Sequence, residues 1–272
     1  MDDLAKYNKA RWEELAQANV QFSRPFLDLD AASARQVVDA EGMLDDVAGK
    51  SVLCLASGGG QQSAAFGLMG AKTTVFDLSE TQLERDRIAA DHYGLDTVII
   101  QGDMRDLSCF DDDAFDVVWH AFSINFVPET RPVFAEVRRI IRQGGLYRLQ
   151  YFNPYLSAVD EDGWDGHAYP LKAPYIDGAD IAELFPFWDV DGGDGSLKQI
   201  ESPREFRHAL STVINGLVGE GFVILGLWEE RTQNLHAEPG TWEHFKHFAP
   251  PFLTIWSAYR PEVFKQGVRS RQ

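Results

Sequence analysis

Residues 53–63 read LCLASGGGQQS, an apolar segment that runs into three consecutive glycines and then into small polar residues. A turn of this kind between strand and helix lets ligand atoms approach the backbone and offers them the unpaired N–H groups of the helix. The chain around it keeps one rhythm. SVLCLA (51–56), KTTVF (72–76), TVIIQ (97–101), FDVVWH (115–120) and LYRLQYF (146–152) each predict a strand, and helical stretches separate them. QQSAAFGLMG predicts a helix ending at Gly70, and SETQLERDRIAADHYG one opened by Ser79 and Gln82 at capping-box spacing and closed by Gly94. TRPVFAEVRRIIRQGG places Val133, Val137, Ile140 and Ile141 on one face and stops at Gly144/Gly145. Uninterrupted apolar strands alternating with helices predict an α/β, Rossmann-like fold, a mostly parallel sheet with helices on both faces.

Residues 2–20 predict a helix with Trp12, Leu15 and Ala16 on one face, and 31–47 a second. The texture changes after Asn153. Residues 153–200 are rich in Gly, Pro, Asp and aromatics without a period, apart from a hairpin read as PFWDV, turn DGGDG, then SLKQI. A helix over PREFRHALSTVINGLVGEG and strands over FVILGLWEE and PFLTIWSAYR follow. The expected organisation is N-terminal helices forming a lid (1–48), a ligand-binding core (49–152), a substrate-side insertion (153–200) and the remainder of the sheet (201–272).

The balance of 25 Lys and Arg against 42 Asp and Glu leaves a net charge of −17, which repels nucleic-acid backbones and anionic lipid. Two cysteines, Cys54 and Cys109, predict no disulfide framework and a reducing compartment. The charged N-terminus holds no apolar signal core, and FVILGLW (222–228) is too short to span a bilayer, so a cytoplasmic location is expected.

Several ligands suit a glycine turn. A Walker A loop requires a lysine where Gln61-Gln62-Ser63 stand, which excludes it. The dinucleotide fingerprint fits Gly58 and Gly60 but meets Ser63 at its third glycine, and Asp77 supplies the acid that binds ribose hydroxyls. A dinucleotide and S-adenosylmethionine (SAM) both carry that ribose, so Asp77 leaves both open. GDM (102–104), directly after the third strand, favours SAM, because an acid and a backbone amide there suit an adenine edge.

Together, VLCLASGGG, VFDLSETQL, QGDMRDL, FDVVWHAFSINFVPE and IIRQGGLYRLQYFNP, over residues 50–152, resemble the class I SAM-dependent methyltransferases, in particular their bacterial small-molecule branch. EFRHALSTVINGLVGEGFVILGLWEE continues the likeness. The resemblance implies strand order 3-2-1-4-5-7-6 with strand 7 antiparallel, and S-adenosyl-L-methionine as cofactor. It implies that Ala56, Ser57, Gly58, Gly60 and Gln62 run beneath the methionine part. Asp77, with Leu78, would hold the ribose; Gly102, Asp103 and the Met104 amide would meet the adenine; the His120 carbonyl would lie near the methionine amino group. One departure stands out. The family's first-strand motif reads as an acid, a residue, then Gly, and here Cys54 and Ala56 take those places.

Methyl transfer from a sulfonium is an in-line displacement with a neutral leaving group, so the protein mainly excludes water and aligns the acceptor. No strong catalytic signature is needed and none is present. His120 and His208 are the candidate bases, Ser123 and Asn125 candidate acceptor contacts. Tyr151, Tyr155, Trp164 and Tyr169 are candidates for an aromatic acceptor wall, with Tyr7 and Trp12 as part of the lid. The acidic runs DVDGGDGS (189–196) and DEDGWDGH (160–167), and the trio His236, His244 and His247, lack metal-site spacing, so no metal is expected. The expected partner is a small-molecule methyl acceptor, without nucleic acid or membrane, for a monomer or homodimer. An NAD(P)-dependent oxidoreductase, a non-catalytic SAM-binding protein and a methyltransferase acting on protein are the rival readings.

Overall fold

The computed structural model describes residues 1–157, 159–160, 162–191 and 196–264. Its centre is β1 (Ser51–Leu55), which pairs in parallel with β2 (Lys72–Asp77) on one side and β4 (Phe115–His120) on the other. Beyond them lie β3 (Val98–Gln101), parallel to β2, and β5 (Ile141–Phe152), parallel to β4. A late hairpin completes the sheet: β9 (Phe252–Tyr259) runs antiparallel to both β5 and β8 (Phe222–Glu229). The order is therefore β3-β2-β1-β4-β5-β9-β8, the expected arrangement once β6 (Phe187–Asp191) and β7 (Leu197–Glu201) are set aside as a separate hairpin. The turn between them, residues 192–195, lies outside the described residues.

Alternation along β1 explains why its strand is apolar throughout. Val52 and Cys54 face one layer with Phe66, Val75, Leu83 and Trp256, while Leu53 and Leu55 face the other with Val133, Phe134, Val137 and Tyr147. The covering helices include α3 (Gln62–Leu68) and α4 (Glu80–Tyr93) on the first face, and α5 (Arg131–Ile140) and α6 (Leu210–Gly219) on the second. Pairing of Leu55 with His120 and of Asp77 with Gln101 brings the carboxyl ends of four strands to one edge. The N-terminal helix α1 (Asp3–Gln17) reaches that edge, followed by α2 (Ala31–Val38); α7 (Trp242–Phe248) precedes β9.

Four local expectations are corrected. The helix expected over 31–47 stops at Val38, because the Asp39 carboxylate accepts from the amides of Met43 and Leu44 and turns the chain. The helix expected to reach Gly144/Gly145 stops at Ile140. Ile140 and Ile141 are both fully buried, and only a change from helical to strand period buries two adjacent isoleucines here. The stretch before α6 is extended, with Phe206 bridged to Asp180, so His208 precedes the helix instead of lying on it. Half of the Ser79 capping box forms: Ser79 Oγ accepts from the Gln82 amide, but the Ser79 amide donates to Asp77 Oδ1.

Phe134 is fully buried between the sheet and α6, with its ring against the Gly216 Cα. Phe134→Ala is expected to destabilise the fold by about 3–5 kcal/mol, measured by chemical denaturation; a loss below about 1 kcal/mol would contradict this packing.

Candidate functional site

Where β1 ends, the chain turns through a conformation that glycine favours. Ala56 has φ 44°, in the left-handed region, which accounts for the glycine expected there. Three amides then point at carboxylates. Gly58 N–H donates to Asp77 Oδ2 at 2.9 Å, Gly59 N–H to Asp86 Oδ2 at 2.9 Å and Gly60 N–H to Asp86 Oδ1 at 3.1 Å. Ser63 Oγ adds a fourth bond, to Asp86 Oδ1, at 2.5 Å. Burial pushes the Asp77 carboxyl up, against the amides of Ser79, Gly58 and Leu78 that hold it down. Asp86 is pushed up to about 7 by burial and by the nearby Asp77 charge, against its own hydrogen bonds.

This arrangement separates the two ligands that the glycines left open. A pyrophosphate at such a turn needs free loop amides. Here those of Gly58, Gly59 and Gly60 are already taken, and the carboxylates beneath them repel a further anion.

Over the loop lies a cavity of about 500 Å³. Ala56, Ser57, Gly58, Gln62, Asp77, Leu78, Gly102, Asp103 and Met104 all line it. Asp77 Oδ2 accepts from the Gly58 amide and Oδ1 from the Ser79 amide, and the four lone-pair sites of the carboxylate leave room for a diol. Both oxygens of Asp103 are engaged by Arg105, whose other face grips Asp2 at the N-cap of α1, with Nη1 to Asp2 Oδ2 at 2.8 Å. That guanidinium holds the Asp2 carboxyl down at about 2. The charged side chains on the cavity wall are Asp77, Asp103 and Glu230 against Arg105, an excess of negative charge that favours a cationic ligand.

Much of the remaining lining is aromatic. Trp12, Phe22 and Trp188 meet edge to face, with centroids 5.0–6.0 Å apart, and Trp12 also meets Phe126 at 5.0 Å. Phe122 packs on Phe126 and on Phe252, at 5.8 and 5.2 Å. Leu4, Asn8 and Trp12, one helical turn apart, present the α1 stripe to this space.

Other expected residues sit elsewhere. Gly60 turns into protein, where an added Cβ would meet the Arg85 carbonyl and Ala89. His120 lies on the opposite face of β4 from cavity-lining Trp119, fully buried, with Nδ1 2.8 Å from the Tyr147 hydroxyl. Burial, with the Arg148 charge, pushes it down to about 3. His208 is 2% exposed, and its Nε2 lies 3.1 and 3.0 Å from the carbonyls of Ile124 and Val127, so this nitrogen must donate. Neither ring lines the cavity, and this placement replaces the expectation that they face an acceptor. Ser123 lines it; Asn125 instead ties Phe206 to Phe152. Tyr151 is core, Tyr155 stacks on Tyr175, and Trp164 and Tyr169 pack against His244 and Phe248 of α7, so none of the four expected wall residues lines the cavity. Tyr7 bonds Glu201 and the Ser202 carbonyl at the hairpin. Among the described residues, no group of three or more His, Cys, Asp or Glu gathers as metal ligands.

Sequence reasoning missed Asp86, Arg105 and Arg148. Arg148 stacks on Trp119, its guanidinium carbon 4.0 Å from the ring centre, with Nε and Nη1 unpartnered among the described residues. An arginine inside the buried strand LYRLQYF was the available signal.

Residues 53–149 match the methyltransferase domain family. An uncharacterized methyltransferase of Bacillus subtilis, YbaJ, is 35% identical over 187 residues, covering 68% of this chain and 70% of that protein. A demethylmenaquinone methyltransferase of Clavibacter sepedonicus is 41% identical over 102 residues, 36% of this chain and 40% of its own. In structure, a SAM-dependent methyltransferase from Mesorhizobium loti superposes with TM-score 0.61 at 21% identity, covering 86% of this chain and all of that one.

The His120 placement makes a pH prediction. Its folded pKa lies below the ordinary 6.5, so its contribution to stability is whole above about pH 6.5 and is lost as pH falls toward 3. Relative to His120→Gln, the wild type is expected to lose about 1.4 kcal/mol per pH unit between about pH 6 and 4, measured by denaturant unfolding. Parallel profiles would contradict the buried neutral ring.

Proposed function

Since this chain belongs to the class I SAM-dependent methyltransferases and uses S-adenosyl-L-methionine as cofactor, we propose that its cavity passes the methyl group to a small, largely apolar acceptor. The observation that carries the reading is that one cavity joins two kinds of lining, the Asp77 and Asp103 carboxylates and a set of aromatic rings. The first suits a cationic nucleoside: Asp77 accepts from the ribose hydroxyls, and Gly102, Asp103 and Met104 border the adenine. Ala56, Ser57, Gly58 and Gln62 lie under the methionine part. The second, from Trp12, Phe122, Phe126, Trp188 and Phe252, receives the acceptor.

When bound, SAM supplies a sulfonium methyl whose transfer leaves a neutral thioether. The chain's residues provide the surroundings for that transfer. The α1 stripe and the aromatic walls exclude water and hold the acceptor in line, and Ser123 and Gln150 are polar groups able to orient it. No proton transfer is assigned to His120 or His208. The reaction therefore suits an acceptor that needs no early deprotonation by a side chain. No described helix is long and apolar enough to cross a membrane, and a cytoplasmic enzyme with a diffusible acceptor is part of the same proposal.

Calorimetric titration with S-adenosylhomocysteine is expected to show binding that Asp77→Ala weakens about 10- to 100-fold, as loss of a charged acceptor for two hydroxyls implies; equal affinities would contradict the ribose assignment. Cell extract incubated with the enzyme and methyl-labelled SAM is expected to yield label in an organic-soluble small molecule, detected by mass spectrometry. Label confined to protein or RNA would overturn the acceptor class.

A further inference from the structure

The acid missing from position 54 has a counterpart on a neighbouring element. Cys54, on β1, is fully buried on the face shared with Phe66 and Leu83 of α3 and α4. Asp86, on α4, is fully buried as well, and its charge adds to burial in pushing the Cys54 thiol up. All three of its hydrogen bonds go to the glycine turn or its continuation: the Gly59 and Gly60 amides and the Ser63 hydroxyl. A buried carboxylate is costly unless donors surround it, and here the donors are backbone amides whose directions define the loop. We propose that Asp86 is a positioning residue that, from α4, holds the turn from Gly59 to Ser63 in the shape that receives SAM, in a chain with Cys54 where the resemblance implies a first-strand acid.

Two features set this role apart from ordinary core packing. Gly59 has φ +132° and Gly60 φ +72°, so the turn has wide conformational freedom and needs an external constraint to keep one form. Asp77 fixes the Gly58 amide alone, so the next two residues depend on Asp86. Cys54 is the complement. A thiol leaves the junction with the two carboxylates of Asp77 and Asp86, whereas an acid at 54 would add a third like charge in a buried layer.

The inference rests on the SAM site proposed above, and its test separates the two. Hydrogen exchange at the Gly59 and Gly60 amides, without ligand, reads the clamp; titration with S-adenosylhomocysteine reads its consequence. Asp86→Asn is expected to speed exchange at both amides and to weaken binding about tenfold or more, with the Gly58 amide little changed. Ser63→Ala keeps the carboxylate and the fold, and is expected to weaken binding about two- to fivefold. The reciprocal pair is the sharpest arm. Cys54→Asp alone and Asp86→Ala alone should each impair binding, while Cys54→Asp/Asp86→Ala should bind more tightly than either. Unchanged exchange at Gly59 and Gly60 in Asp86→Asn, or a double variant whose losses merely add, would overturn the proposal. If wild-type protein fails to bind S-adenosylhomocysteine, the SAM reading falls, and the exchange data still judge the clamp.

Discussion

Three successive amides, those of Gly58, Gly59 and Gly60, donate into two carboxylates, the half-buried Asp77 and the fully buried Asp86, and the ligand face of the molecule is organised around that junction. It joins the end of β1, the end of β2 through Asp77 and the middle of α4 through Asp86. A glycine turn is conformationally free, and that freedom is what lets a ligand approach. The carboxylates remove it by holding the amides inward, and Ala56, Ser57 and Gly58 are left to line the cavity. The same polarity that fixes the turn makes it a poor seat for phosphate and a good neighbour for a cation.

Helix α1 is held by weaker parts. Arg105 ties Asp103, beside the cavity, to Asp2 at the start of α1, and Asn8 bonds the Phe126 and Arg204 carbonyls from the middle of the same helix. The Arg105 pairs are partly exposed, so screening limits their worth. Edge-to-face contacts of Trp12 with Phe22, Phe126 and Trp188 carry more of the attachment. A helix held mainly by aromatic contacts at one rim suits a cavity that must admit and release both a cofactor and an acceptor.

The sheet was legible because its signals are local. Each strand of the first half is a short apolar run ended by Gly, Asp or a helix cap, and Asp77 and GDM fall at strand ends whatever the rest of the chain does. Periodicity could not see where a tertiary partner overrides it, as at Ile140/Ile141 and at the extended stretch before His208. The side-chain direction of His120 was readable in principle. It alternates with Trp119 along β4, so only one of the two faces the cavity. The aromatic wall was not readable, because Phe22, Phe122, Trp188 and Phe252 come from four separate segments that only the closed fold brings together. Asp86 lies within a charged helical stretch, ETQLERDR, where an acid reads as solvent-facing until α4 is packed on the glycine turn.

The measurement that tests this account most directly is a crystal structure of the protein with S-adenosylhomocysteine. The account predicts the ribose hydroxyls on Asp77, the adenine beside Asp103 and Met104, and the sulfur facing the aromatic rings, with Gly59 and Gly60 still donating to Asp86. A ligand whose ribose lies away from Asp77, or a loop whose amides have left Asp86 to contact the ligand, would contradict it.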